Sequence, residues 1–279
     1  MQAMRSTGRN GASVLERAFS LLEVVGSDGS SVGLAELARR ASLPKATAYR
    51  LANQLIDLHV LERVGQQYHL GLKLFELGSS VTRQRELREA ALPFMEDLYE
   101  ATHETIHLGV LDGVEVLYAE KIAGRRKCSV QTTLGVRKPL YCTGLGKAIL
   151  AYSRPQLVES VIRNGLSRIT PYTITDPHRL QLELKRAAES GVSYDREEYE
   201  LGINCVGSPL LNRAGRAWAA ISVTGPTTRF RPERTAAAVR TAALGLTRVL
   251  NSQGGWGAVA LDQAADHDET PAADVLADS

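Results

Sequence analysis

The chain has 279 residues, 44% of them hydrophobic and 23% charged, with a formal net charge of +2; at roughly 150 residues per domain this predicts two domains with ordinary cores. No apolar run reaches the roughly 18 residues of a membrane helix, and the polar residues after Met4 do not read as a signal peptide. The three cysteines, Cys128, Cys142 and Cys205, are too widely spaced for a zinc site and odd in number, so a reducing cytoplasm is the expected setting.

Residues 1–11 are rich in Gly, Ser, Arg and Asn and are expected to form a disordered arm. A helix follows over 14–25: its apolar positions are Val14, Leu15, Ala18, Leu21, Leu22 and Val25, and Ser13 stands where a cap belongs. Turn residues from Gly26 to Ser31 end it. Next, Leu34, Leu37, Ala38 and Ala41 recur at i, i+3, i+4 and i+7, the stripe of a docked helix. Ser42-Leu43-Pro44 breaks that helix, and Pro44 suits the first position of a new one, with Ser42 or Leu43 at its cap.

The new helix, 45–58, carries Ala48, Leu51, Ala52, Leu55 and Leu58 on one side and Lys45, Ala46, Thr47, Tyr49, Arg50, Asn53 and Gln54 on the other. Side chains of the second set meet phosphates and base edges: Arg50 can fork onto guanine, and Asn53 or Gln54 onto adenine. Residues 60–64 and 67–70 alternate around Gly65-Gln66, a hairpin signal that places Arg63 and Gln66 on a wing. Two short helices, a tight turn and a hairpin in this order define a winged helix-turn-helix, expected over 12–72, and its partner is double-stranded DNA. The electrostatic footprint is modest, since residues 5–70 hold eight basic and six acidic residues.

Residues 73–98 have strong helical propensity apart from Gly78-Ser79-Ser80, and Pro93 makes this linker either two helices or one kinked helix. Leu72, Leu74, Phe75, Leu77 and Val81 are too apolar for a lone exposed rod and call for cover by a partner subunit. From Thr105 the period changes. Two strands flank Asp112-Gly113, read as a type I′ turn, and a further short strand is expected over 127–131. Helices are expected over 143–152, 155–162, 176–190 and 232–250, and strands over 192–195, 204–211 and 217–223. The interleaving gives an α+β domain over 99–251 with an antiparallel sheet. Residues 252–279 hold six acids and no Lys or Arg, and are expected to be a disordered acidic tail.

Several stretches carry a family resemblance. Residues 195–209 (DREEYELGINCVGSP) combine an acidic cluster, a glycine, a cysteine and a proline; Gly144-Leu145-Gly146-Lys147-Ala148 and Ala220-Ile221-Ser222-Val223-Thr224-Gly225-Pro226 fit with them, as does the helix from Lys45 to Leu51. In these the chain resembles the IclR family of bacterial transcription regulators over roughly residues 13–250. The family often has Ser in place of Pro44 and Gly in place of His59, and the acidic tail lies outside its pattern. The resemblance implies a winged helix-turn-helix, a linker helix and a GAF-like effector domain, assembled as homodimers that often pair into dimers of dimers. Palindromic half-sites would be read by Lys45, Thr47, Tyr49, Arg50, Asn53 and Gln54, with Arg63 and Gln66 on the backbone or minor groove.

Carried over by motif, the effector pocket holds the loop of Gly144 and Leu145, whose backbone N–H groups suit a carboxylate. Asp195, Cys205 and Ser222 stand opposite, with Leu134, Leu145 and Ile203 as apolar walls, and the implied ligand is a small organic or aromatic acid. Plainer roles stand beside these. The glycines shape a turn, Cys205 is a small core residue, Asp195 pairs with Arg196 or Lys147 or caps a turn, and Glu197 and Glu198 are structural, an exposed face that is solvated or salt-bridged. Other functional classes are a thiol enzyme or a redox-responsive regulator using Cys142 or Cys205, although no Cys–His pair is evident nearby. His103 and His107 are four apart at the start of a strand, which argues against a metal site, and no catalytic residue or cofactor is assigned.

Overall fold

The computed structural model describes residues 12–27, 31–124 and 132–252. The arm over 1–11, the strand expected over 127–131, and the tail beyond Ser252 lie outside the described residues. The chain divides into two compact units, one ending at Arg85 and the other beginning at Glu86.

In the first unit, α1 (Val14–Ser27) starts with a capping box: the Glu16 backbone N–H donates to Ser13 Oγ at 3.1 Å, and the Ser13 N–H donates to Glu16 Oε2 at 2.6 Å. Strand β1 (Val32–Gly33) precedes α2 (Leu34–Arg40) and α3 (Lys45–Asp57). Ser42 departs from the expected cap position. It takes a left-handed φ of 55° and ends α2, while Leu43 N–H reaches back to the Ala38 carbonyl at 2.9 Å, and Pro44 is the N-cap of α3 without a side-chain bond. The end of α3 repeats this device, with His59 at φ 57° and Val60 N–H bonded to the Leu55 carbonyl at 2.8 Å. Strands β2 (Leu61–Val64) and β3 (Gln67–Leu70) form the wing, and β1 joins them antiparallel in the order β1-β3-β2. Leu21, Leu37, Ala48, Leu51, Ala52, Leu61 and Tyr68 close the core. Helix α4 (Leu72–Ser79) follows and buries none of its residues.

The linker expected over 73–98 as two helices or one kinked helix is two, but they part at Ser79-Ser80 and not at Pro93: α4 ends at the weak helix formers Ser79 and Ser80, and α5 runs over Thr82–Thr102. Pro93 lies inside α5 on its exposed side, where water can take the carbonyl deprived of its donor. Leu87, Ala91, Met95 and Leu98 line the opposite face and belong to the core of the second unit.

That unit is a six-stranded antiparallel sheet in the order β6-β5-β4-β9-β8-β7, formed by β4 (Thr105–Asp112), β5 (Glu115–Ile122), β6 (Arg137–Pro139), β7 (Ser193–Arg196), β8 (Ile203–Leu211) and β9 (Ala217–Pro226). The β4–β5 turn is Gly113-Val114, with positive φ at Gly113 alone, the II′ pattern and not the I′ turn expected at Asp112-Gly113. Helices α5 and α9 (Pro232–Ser252) cover one face through Met95, Val239 and Leu246, which pack on Ile106, Val206, Ile221 and Val223. The other face carries α6 (Gly144–Leu150), α7 (Pro155–Arg163) and α8 (Pro177–Ser190), packed through Leu145, Ile149, Val161, Leu180 and Leu184. Among the described residues no helix is long and apolar enough to cross a membrane.

Candidate DNA-reading face and ligand site

The first site follows from helical periodicity. With Ala48, Leu51, Ala52 and Leu55 buried, the opposite side of α3 exposes Lys45, Tyr49, Arg50 and Gln54, with Thr47 and Asn53 half-buried at its edges. Arg63 and Gln66 are exposed on the wing. Lys45, Arg50 and Arg63 make no ion pair among the described residues, whereas Arg39 is held by Glu36. Free cations beside amide side chains on a protruding helix are suited to phosphates and base edges.

The second site is assembled across strands. Thr143 caps α6: its Oγ1 accepts from Gly146 N–H at 3.1 Å and donates to the Pro139 carbonyl at 3.0 Å. The first turn of α6 lies directly on β8. A Cβ at Gly144 would stand 2.6 Å from Cys205 Sγ, and one at Gly207 would stand 2.5 Å from the Gly144 carbonyl oxygen, so only glycine fits either position. Register then aligns the polar residues. Asp195 is opposite Cys205, Cys205 opposite Thr224, and Ser222 lies between Gly207 and His107. Ile203, two residues before Cys205, shares its face and is buried. Leu145 is also buried, but Leu134 is 46% exposed and stands outside this buried group.

Four buried side chains missing from the expected set complete it. Thr224 Oγ1 donates to Cys205 Sγ at 3.3 Å and lies 3.3 Å from His107 Nδ1. The His107 ring meets Tyr118 edge-on at 5.2 Å, and the Lys138 ammonium sits 5.0 Å from the Tyr118 centroid and 4.2 Å from that of Tyr199. Of these, His107 left the clearest trace in the sequence, as a polar residue inside the apolar run Ile106-His107-Leu108; Lys138, between Arg137 and Pro139, left none.

Asp195 and Glu198 differ from a simple acidic face. Asp195 Oδ1 caps the following turn, accepting from the N–H groups of Glu198 at 2.8 Å and Tyr199 at 3.4 Å. Glu198, expected to be exposed, is buried and paired with the fully buried Lys147, while Glu197 accepts from Gly202 N–H at 2.7 Å. A lysine buried in an apolar helix needs such a counter-charge, which explains the burial of Glu198.

Burial dominates the electrostatics. It pushes the Asp195 carboxyl up to about 7, with the neighbouring Glu198 charge adding to the rise, and the His107 imidazole down to about 3, helped by Lys138 and Lys121. Cys205 is pushed up to about 11 by burial and then by Asp195, and Cys142 is raised further still by burial. Both cysteines are free and buried. A protonated, desolvated thiol is a poor nucleophile and reacts slowly with oxidants, so the geometry disfavours the thiol-enzyme and redox alternatives.

The fold and these two sites define a class: a DNA-binding regulator that joins a winged helix-turn-helix to a separate ligand-binding domain. Residues 14–65 match the family model for the IclR helix-turn-helix domain, and residues 79–248 match that for the bacterial transcriptional regulator IclR C-terminal domain. The chain belongs to the IclR family of transcription regulators. It is 33% identical over 235 residues to the HTH-type transcriptional repressor AllR of Salmonella typhi, covering 82% of this chain and 85% of that protein. To its Escherichia coli K12 counterpart it is 30% identical over 229 residues, covering 81% and 84%. Among solved structures, an IclR homolog from Microbacterium hydrocarbonoxydans complexed with 4-hydroxybenzoate superposes with a TM-score of 0.79 at 29% identity, over 86% of this chain and all of that one. The Thermotoga maritima IclR superposes at 0.71 with 30% identity, over 85% and 98%.

Proposed function

We propose that the protein is a repressor whose hold on operator DNA is altered by a small organic or aromatic acid bound in the second unit. The observation that carries this reading is the exposed polar face of α3, where Lys45 and Arg50 make no ion pair among the described residues. In this reading Lys45, Thr47, Tyr49, Arg50, Asn53 and Gln54 enter the major groove of each half-site, and Arg63 and Gln66 hold the backbone or minor groove. The acid lies against the Gly144 and Leu145 amides and faces Asp195, Cys205 and Ser222. Support comes from the AllR relatives, which are repressors by name, and from the structural neighbour that holds 4-hydroxybenzoate.

Two subunits reading a palindrome require a dimer, and exposed apolar side chains are available to cover. Leu15 and Phe19 on α1 are 72% and 63% exposed, and Leu72 and Phe75 on α4 are 64% and 71% exposed. A homodimer, with dimers pairing in turn, buries such surface. The ligand acts by binding one arrangement of the subunits better than another, and its effect on DNA affinity is bounded by that difference.

The test is fluorescence anisotropy on DNA from the chain's own upstream region, with and without a panel of carboxylic acids. Specific binding that one acid weakens at least severalfold is expected. Sequence-independent binding that no acid changes would overturn the reading.

A further inference from the structure

We propose that His107 and Lys138 select the ligand of the second unit, and that this ligand is a hydroxy acid: its carboxylate meets the Lys138 ammonium and its hydroxyl hydrogen-bonds to His107 Nε2. The inference rests on the small-acid reading above and goes further by naming a second recognised group.

The first observation is a buried cation without an ion pair. Lys138 is 7% exposed and its ammonium lies against the faces of Tyr118 and Tyr199; among the described residues it makes no salt bridge, and the Glu200 and Asp195 carboxyls act on it only from beyond ion-pair distance. Lys147, buried on the same side of the sheet, has Glu198 as its counter-charge. Two aromatic faces compensate a desolvated ammonium only in part, and an arriving carboxylate supplies what is missing. The burial that lowers the Lys138 pKa is the measure of that cost.

The second observation is a buried ring nitrogen without a partner. Thr224 Oγ1 lies within hydrogen-bond distance of both Cys205 Sγ and His107 Nδ1. His107 is 2% exposed, and among the described residues its Nε2 has no partner. Burial drives His107 to the neutral form, in which Nε2 either accepts or donates one hydrogen bond, and a hydroxyl can supply either. Buried polar atoms normally have partners.

The two groups converge. His107 and the Lys138 ammonium both lie against the Tyr118 ring, so one small molecule can reach both. A simple carboxylate satisfies Lys138 and leaves Nε2 empty-handed, and a site built around a hydroxyl discriminates strongly against the analogue without one. The 4-hydroxybenzoate held by the structural neighbour has both groups.

Isothermal titration of the full chain tests this with two matched pairs, 4-hydroxybenzoate against benzoate and glycolate against acetate, which also separate an aromatic from an aliphatic ligand. At least one hydroxylated member is expected to bind about tenfold tighter than its partner. Lys138→Met should weaken that acid by about tenfold or more, and His107→Asn should bring the pair to near equality. In the unmodified protein, 15N spectra of the imidazoles should show a neutral His107 whose Nε2 resonance shifts when the hydroxy acid is added, a readout independent of how well the variants fold. Equal binding within both pairs, or full binding by Lys138→Met, would overturn the inference and leave the small-acid reading intact. Binding of no acid, with specific DNA binding retained, would overturn both.

Discussion

The two polar regions of this protein use similar side chains under opposite conditions. On α3 and the wing, Lys45, Arg50 and Arg63 are exposed, solvated and unpaired among the described residues. In the second unit Lys138, Lys147, His107, Asp195 and Glu198 are all buried within a few residues' reach of one another. Exposed charges are screened by water and act on a partner one at a time. Buried charges must be compensated, so they shift one another and become part of the fold's stability. Changes on the reading face should therefore separate DNA binding from folding, whereas changes in the buried group should not.

The largest effect is expected from Lys147→Met. Removing the ammonium leaves the Glu198 carboxylate buried beside Asp195 without a counter-charge, and urea unfolding should show a loss of about 3–5 kcal/mol. The exposed pair Arg137–Asp112, about half accessible on each side, is the control: Arg137→Met should cost no more than about 1 kcal/mol. Similar losses for the two variants would remove the contrast.

Arg50→Ala should weaken specific operator binding by roughly tenfold to a hundredfold while the melting temperature stays that of the wild type. Unchanged anisotropy titrations with this variant would move the reading face away from α3.

A third effect is pH-dependent and separates two members of the buried group by sign. His107 titrates at about 3 in the fold against 6.5 as a free group, so the unfolded chain takes up its proton first, and stability is lost as pH falls from about 6.5 toward 3. Asp195 is raised from 3.8 to about 7, so the folded state keeps a proton the unfolded state has released, and its contribution is lost as pH rises from about 4 to 7. Relative to wild type, His107→Asn should gain stability on acidification from pH 6.5 to 4, and Asp195→Asn on alkalinisation from pH 4 to 7. Denaturation curves at several pH values report both, and parallel curves for all three proteins would contradict the burial argument.

The smallest effect lies in the first unit. His59 holds a left-handed φ of 57° at the end of α3, a conformation that suits glycine. His59→Gly should stabilise the chain by roughly 0.5–1 kcal/mol and leave DNA affinity unchanged. A loss of stability would mean that the imidazole makes a contact worth more than the strain.

The reading face was legible because it depends on local rules. Helical spacing alone separates Ala48, Leu51 and Leu55 from Lys45, Arg50 and Gln54, and the hairpin around Gly65-Gln66 follows from its turn residues. The errors in that region are also local. Ser42 adopts a left-handed turn instead of capping α3, and β1 is too short for a two-residue period to announce it. The buried site was legible only where a motif pointed to it, in Gly144, Asp195, Cys205 and Ser222. His107 was weighed only as a metal ligand, Glu198 was expected at the surface, and Lys138 was not singled out.

By itself the amino-acid sequence determined the order of elements, the winged helix-turn-helix and the residues that α3 exposes, because helical and strand periods act over a few neighbouring positions. Only the tertiary structure decided that α5 belongs to the second core and that His107, Tyr118, Lys138, Tyr199 and Cys205 meet. That meeting depends on strand order and on glycines that let α6 lie against β8. These are pairings between residues such as His107 and Thr224, 117 positions apart, in a sheet ordered β6-β5-β4-β9-β8-β7, where no local period carries information about which strands will be neighbours.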